Sequence, residues 1–174
     1  MLKDTAAENG CLKKGKDMKY FSLDELCRSN RAARMGVKNE PNDEERENLV
    51  ALVDNVLDPA RAEIGHAVGV SSGFRCKKVN DAIPGSSKTS QHVKGEAADL
   101  VAGGPHENLR LAQIIVRQGK FDQLILENVG RKDLWPAWVH VSYKRSGQNR
   151  GQILKRVAGV PGYSVVSSSA VLNG

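Results

Sequence analysis

The sequence predicts one domain that mixes helices with antiparallel strands, and three observations carry that expectation. Two capping boxes open helices in its first third, and two apolar runs flanking residue 130 have the form of a hairpin. Between them, Gly- and Ser-rich loops deliver His and Asp side chains to strand ends. A chain of 174 residues fits one domain with loose ends, since domains typically run to about 100–150 residues. Its apolar content of 40% is enough for a core.

Residues 1–17 are polar, Lys-rich and aperiodic, and read as a flexible arm ahead of a domain over 18–158. Ser22 and Glu25 form a capping box that opens a helix over 23–35, which Gly36 stops. Asn42 and Glu45 repeat the signature before a longer helix over 43–64. Its Leu49, Leu52, Val53, Val56, Leu57, Ala60 and Ile64 mark one face of a 3.6-residue period, and Pro59 predicts a kink. A short strand follows, with Val68 and Val70 facing one way and His66 in the loop at its start. A brief helix is expected over 76–82, then a loop, Pro84 to Thr89, by composition.

A strand over 99–102 and a Gly-Gly-Pro turn lead to a helix over 106–118, which Gly119 ends; His106 is expected to be exposed in its first turn. The hairpin strands are 121–127 and 138–143. Alternation puts Trp138, His140 and Ser142 on one face and Val139 and Val141 on the core face. After Arg145 only Ile153-Leu154 forms an apolar run, and 159–174 reads as a poorly ordered tail.

Lys and Arg outnumber Asp and Glu by 26 to 20, for a net charge of +6, which favours an anionic partner. Three Phe, three Tyr and two Trp, with no base-stacking or zinc-finger pattern, argue against nucleic acid. An acidic polymer such as a bacterial cell wall suits the charge. No run approaches the ~18 apolar residues of a membrane span, and the N-terminal stretch has no apolar segment after its charges. These features predict synthesis in the cytoplasm, no membrane partner, and a monomer. Three unpatterned cysteines, Cys11, Cys27 and Cys76, fit reduced structural thiols rather than a disulfide framework.

The chemistry concentrates in Ser90-Gln91-His92-Val93-Lys94-Gly95-Glu96-Ala97-Ala98-Asp99 and in Trp138-Val139-His140-Val141-Ser142. Imidazole nitrogens and a carboxylate oxygen are good zinc ligands, and three protein ligands leave a fourth position open, as catalytic zinc sites do. Such a site needs a carboxylate to move protons and a cation to meet an oxyanion or a substrate carboxylate. Arg75, at the Gly turn of Ser72-Gly73-Phe74-Arg75, is a candidate cation. Glu127, at the end of the partner strand, is a candidate proton acceptor.

The pattern Ser-x-His-x-x-Gly-x-Ala-x-Asp, followed by Trp-Val-His-Val-Ser, resembles the zinc D,D-peptidases. This group includes D-alanyl-D-alanine carboxypeptidases and phage endolysins and shares the hedgehog-type fold. Ser72-Gly73-Phe74-Arg75 with Asn80, Phe121-Asp122-Gln123-Leu124-Ile125 and Lys19–Leu26 extend the resemblance over roughly 19–157. It implies an α+β fold: a small antiparallel sheet with a zinc site on one face and helices on the other. It implies one zinc ion on His92, Asp99 and His140, with Arg75 on substrate or transition-state oxygen and Ser90, Gln91 and Ser142 among the substrate contacts. The implied reaction is hydrolysis of amide bonds in peptidoglycan stem peptides, by a carboxypeptidase or endopeptidase reaching the wall through phage-type lysis.

One position departs from the pattern. Several relatives carry an acidic general base three residues before the last ligand His, where this chain has Ala137. Glu127 is the preferred substitute, because hairpin pairing can bring it beside His140, and Asp133 in the loop is the alternative. Glu96 is expected to face solvent. The missing acid keeps open a second possibility, a non-catalytic zinc-containing module that binds cell wall or protein.

Overall fold

The computed structural model describes residues 18–174, so the expected arm at 1–17 lies outside the described residues. Its centre is a six-stranded sheet in the order β1-β2-β4-β3-β5-β6. The strands are β1 (Gly69–Ser72), β2 (Ala97–Val101), β3 (Gln123–Val129), β4 (Trp138–Ser142), β5 (Gln152–Val157) and β6 (Ser164–Val165). The helices are α1 (Leu23–Cys27), α2 (Asn30–Arg34), α3 (Asp43–Leu52), α4 (Asp58–Ile64), α5 (Lys77–Asp81), α6 (Pro105–Gln118) and α7 (Ser168–Leu172).

Both N-caps open helices at the expected residues, Ser22 by accepting from the Glu25 amide, but only Asn42 completes a capping box among the described residues. Asn42 accepts from the Glu45 amide while Glu45 accepts from the Asn42 amide. The expected helix over 23–35 is instead two short ones. Ser29 is a second N-cap, extended and accepting from the Ala32 amide at 3.2 Å, so the chain turns between α1 and α2. The helix over 43–64 runs its predicted length, but a π-helical segment, Val53–Leu57, joins α3 to α4. Pro59 offers no N–H to the Asn55 carbonyl and its ring crowds that oxygen. The wider π turn accommodates both.

The expected antiparallel sheet is mixed. β3 and β4 pair antiparallel with Ile125 opposite His140, and β2 pairs antiparallel with β4 with Asp99 opposite His140. With both edges of β4 taken, the chain crosses to the free edge of β3, and β5 pairs there in parallel. Nor is 159–174 a loose tail. β6 pairs with β5, Ser167 caps α7 through the Ala170 amide, and Val166 and Val171 are buried.

Strand alternation divides the sheet into two faces. Ala98, Leu100, Leu124, Leu126, Val139 and Val141 point into a core shared with Leu49, Leu52, Val53, Val56, Leu57, Leu109, Ala112 and Ile115 of the helices. Asp99, His140, Ile125 and Glu127 take the opposite face, since directly paired residues share a side. That face carries the polar chemistry.

Candidate metal centre

His92 reaches this face from a loop, and the loop is pinned at several points. Gly95 adopts φ +70°, and a Cβ there would collide with the Glu45 carbonyl of α3, so only glycine lets the loop press this close. Asn48, on α3, donates to the Lys94 carbonyl at 2.9 Å. The Arg75 amide donates to the His92 carbonyl at 3.1 Å, joining this loop to the one after β1. Asn39 holds that second loop, donating to the Cys27 and Phe74 carbonyls and accepting from the Cys76 amide.

The three expected ligands converge. His140 Nδ1 lies 2.9 Å from Asp99 Oδ1 and 3.2 Å from His92 Nε2, and His92 Nε2 lies 3.3 Å from Asp99 Oδ1. A tetrahedral ion with bonds of about 2.0–2.1 Å requires ligand separations of about 3.3–3.4 Å, close to this spacing. The ligands are also held from behind. His92 Nδ1 lies 2.8 Å from the Gly73 carbonyl, which can only accept, so Nδ1 carries the proton and Nε2 presents its lone pair. Arg75 Nη2 donates to Asp99 Oδ2 at 2.7 Å, leaving Oδ1 to the centre, and Arg75 Nε donates to Ser72.

Burial drives the His92 pKa down, against the pull of Asp99, which favours neutral imidazole. Burial alone would raise the Asp99 carboxyl, but His92 and His140 outweigh it and hold it well below the ordinary carboxylate range. An ionised carboxylate and a neutral imidazole therefore point acceptor at acceptor across 3.3 Å. A cation resolves that conflict, so the donor set fits a metal ion. No other group of three His, Cys, Asp or Glu ligands is brought together among the described residues.

Glu127 stands opposite Trp138, one pair along from Ile125–His140. It is 7% exposed; one carboxylate oxygen accepts from Tyr163 Oη at 3.4 Å, and the other, Oε2, is buried with no hydrogen-bond partner. Burial raises its pKa, opposed by His140 and Arg156 and assisted by Asp99. Asn128, at φ +54°, and the register shift between Leu126 and Val129 form a β-bulge directly after Glu127. The Ala137 amide donates to the Glu127 carbonyl at 2.8 Å. The backbone of Glu127 thus lies beside the position where relatives carry their acid.

The other expected residues are distributed differently. Asp133 accepts from the Gly130 and Trp135 amides and shapes its own loop. Ser142, expected among the substrate contacts, is fully buried, its Oγ engaged with the Gln123 backbone, so a substrate cannot reach it. Ser90 is half-buried in the turn before His92. Gln91 donates to Glu96 and Asp122, so Glu96, expected in solvent, is half-buried and engaged. His66 pairs with Glu107, and His106 stacks near Trp135, both apart from the triad.

Two supporting residues escape sequence reasoning. Asn108, 1% exposed, accepts from the Ala102 amide and donates to the Pro136 and Ala137 carbonyls, tying the end of β2 to the start of β4. Asp122 is fully buried and gathers Arg150, Lys144 and Gln91, so it anchors the residue next to His92. Its place in Phe121-Asp122-Gln123 was the one signal available.

No curated protein matches this chain in sequence comparison. A family model described as Peptidase M15 matches residues 19–142, a span that contains the three ligands, Arg75 and Glu127. With a match over most of its length and this ligand triad at its centre, the chain belongs to the peptidase M15 family of zinc D,D-peptidases.

Proposed function

We propose that this metallopeptidase hydrolyses amide bonds in peptidoglycan stem peptides as a D,D-carboxypeptidase or endopeptidase, with one zinc ion held by His92 Nε2, Asp99 Oδ1 and His140 Nδ1. The observation that carries the proposal is three potential ligand atoms, of His92, Asp99 and His140, converging beside a buried carboxylate that has one oxygen unpartnered. Zinc in such a site lowers the pKa of water towards about 7 and polarises a carbonyl.

The chain's own residues supply the rest. Glu127 accepts the proton of the attacking water on Oε2 and returns it to the leaving amine. Its burial supports this role, because a carboxyl with a raised pKa matches proton transfer nearer neutral pH. Arg75 fixes Asp99 through Nη2, while its Nη1 donates to nothing among the described residues and is free for a substrate oxygen. Gln91 and Ser90 border the triad and orient the bound peptide. The hedgehog-type architecture, action as a monomer and release to the wall through phage-type lysis belong to the same proposal.

Ala137 favours one competing view, a module that binds zinc and wall peptide without cutting. Purified walls and defined muropeptides, incubated with the protein and read by mass spectrometry, separate the two. The proposal predicts new peptide termini that vanish on adding a chelator and return with zinc. Zinc-dependent wall binding without new termini would favour the binding module.

A further inference from the structure

Beside the triad, a cavity of about 450 Å³ runs between the α1–α2 junction and the outer edge of β1. One wall is Gly69–Ser72, and Arg28 and Arg31 stand in the other. Arg75 lies at the end where its guanidinium also meets Asp99. We infer that this cleft is a substrate subsite in which Arg28 and Arg31 seat a free carboxylate of an extended peptide. The inference rests on the proposed peptidase reading and adds which peptides the enzyme prefers.

Three features converge on that occupant. The cleft presents three guanidinium groups, of which Arg75 is already paired with Asp99, against one carboxylate, Glu25, so the two remaining cations favour an anion. Two of those guanidiniums are available: the Arg28 side chain makes no hydrogen bond or ion pair among the described residues, and Arg31 uses one N–H on the Ala82 carbonyl at 3.1 Å. A guanidinium fork grips carboxylates in two-point fashion. β1 is the edge strand of the sheet, and no backbone bond outside the sheet involves Gly69–Ser72 among the described residues. An open edge offers alternating N–H and C=O groups to an added peptide strand, which a small inorganic ion would leave unused. A peptide main chain along β1 therefore carries its carboxylate to the arginines and its scissile bond toward Asp99 and His140.

The test compares wall stem peptides bearing free carboxylates with the same peptides amidated, using zinc-loaded protein and the variant Arg28→Gln/Arg31→Gln. The variant should raise KM about tenfold on the free-carboxylate peptides, the worth of one charge-assisted contact, with kcat held within about twofold. On amidated peptides, variant and parent should match. Arg31→Lys, which keeps the charge and a donor for Ala82, should recover most of the loss from Arg31→Gln. An unchanged KM, or an equal loss on both peptide series, overturns the subsite. If the parent protein cuts neither series, the peptidase reading fails, and calorimetry on the uncut peptides decides the subsite alone. Carboxylate-dependent binding that the double variant loses upholds it; binding indifferent to either change overturns it.

Discussion

Glu127 is the residue on which catalysis and stability pull apart. A carboxyl whose pKa is raised by burial holds its proton more tightly folded than unfolded. Its contribution to stability is therefore present at low pH and is lost as pH rises through the folded value. At neutral pH the ionised side chain, with Oε2 unpartnered, costs stability. Glu127→Gln is expected to keep or raise the melting temperature while lowering kcat about 10²- to 10⁴-fold. In the parent enzyme, the acidic limb of kcat/KM should lie above the ordinary glutamate value of about 4.3. Full activity in the variant, or a limb at or below that value, would remove Glu127 from the chemistry. At this scale the sequence was most legible where a motif is local: the spacing of His92 and Asp99 and the strand parity of His140 are both visible in a few residues. Asn48, Asn108 and Tyr163 were not, because each acts through partners 36 to 46 positions away, or 28 and 29 for the Asn108 donors.

Among the elements, helices announced by a cap and a period emerged nearly as read, and strands were legible where neighbours in sequence are neighbours in the sheet. The β3–β4 hairpin met that condition. β5 did not, since its parallel pairing depends on β4 being enclosed by β2 and β3, which no local pattern encodes. The segment after Ala158 is hard to read because its buried valines, Val166 and Val171, lie in apolar stretches of only two and three residues separated by Ser167–Ser169. They nevertheless close the structure: Val171 accepts from Gln113 of α6, and Tyr163 covers Glu127. Ending the chain after Ala158 should cost about 3–5 kcal/mol for two buried valines and their neighbours, measured by denaturant unfolding. An unchanged unfolding midpoint would mean that β6 and α7 are not part of the folded unit.

For the molecule as a whole, the sheet is a partition. One face and the helices supply the apolar core, and the other gathers the groups that an apolar core could not hold. The separation of a polar second face is what alternation in β2, β3 and β4 predicts, and the helical side follows from the stripe Leu49 to Ile64. Sequence could not foresee how tightly the faces are coupled. Asn48, on a core helix, bonds the His92 loop, and Arg75, after an edge strand, fixes the Asp99 carboxylate. The arrangement spends folding free energy on bringing like-natured acceptors together, which a cation repays. The most direct test is to titrate zinc into chelator-stripped protein while following peptide release from purified walls. Release is predicted to rise from zero and level off at one equivalent of zinc per chain; release that is independent of added zinc, or absent at every ratio, would contradict the assignment of His92, Asp99 and His140 as the centre of a hydrolase.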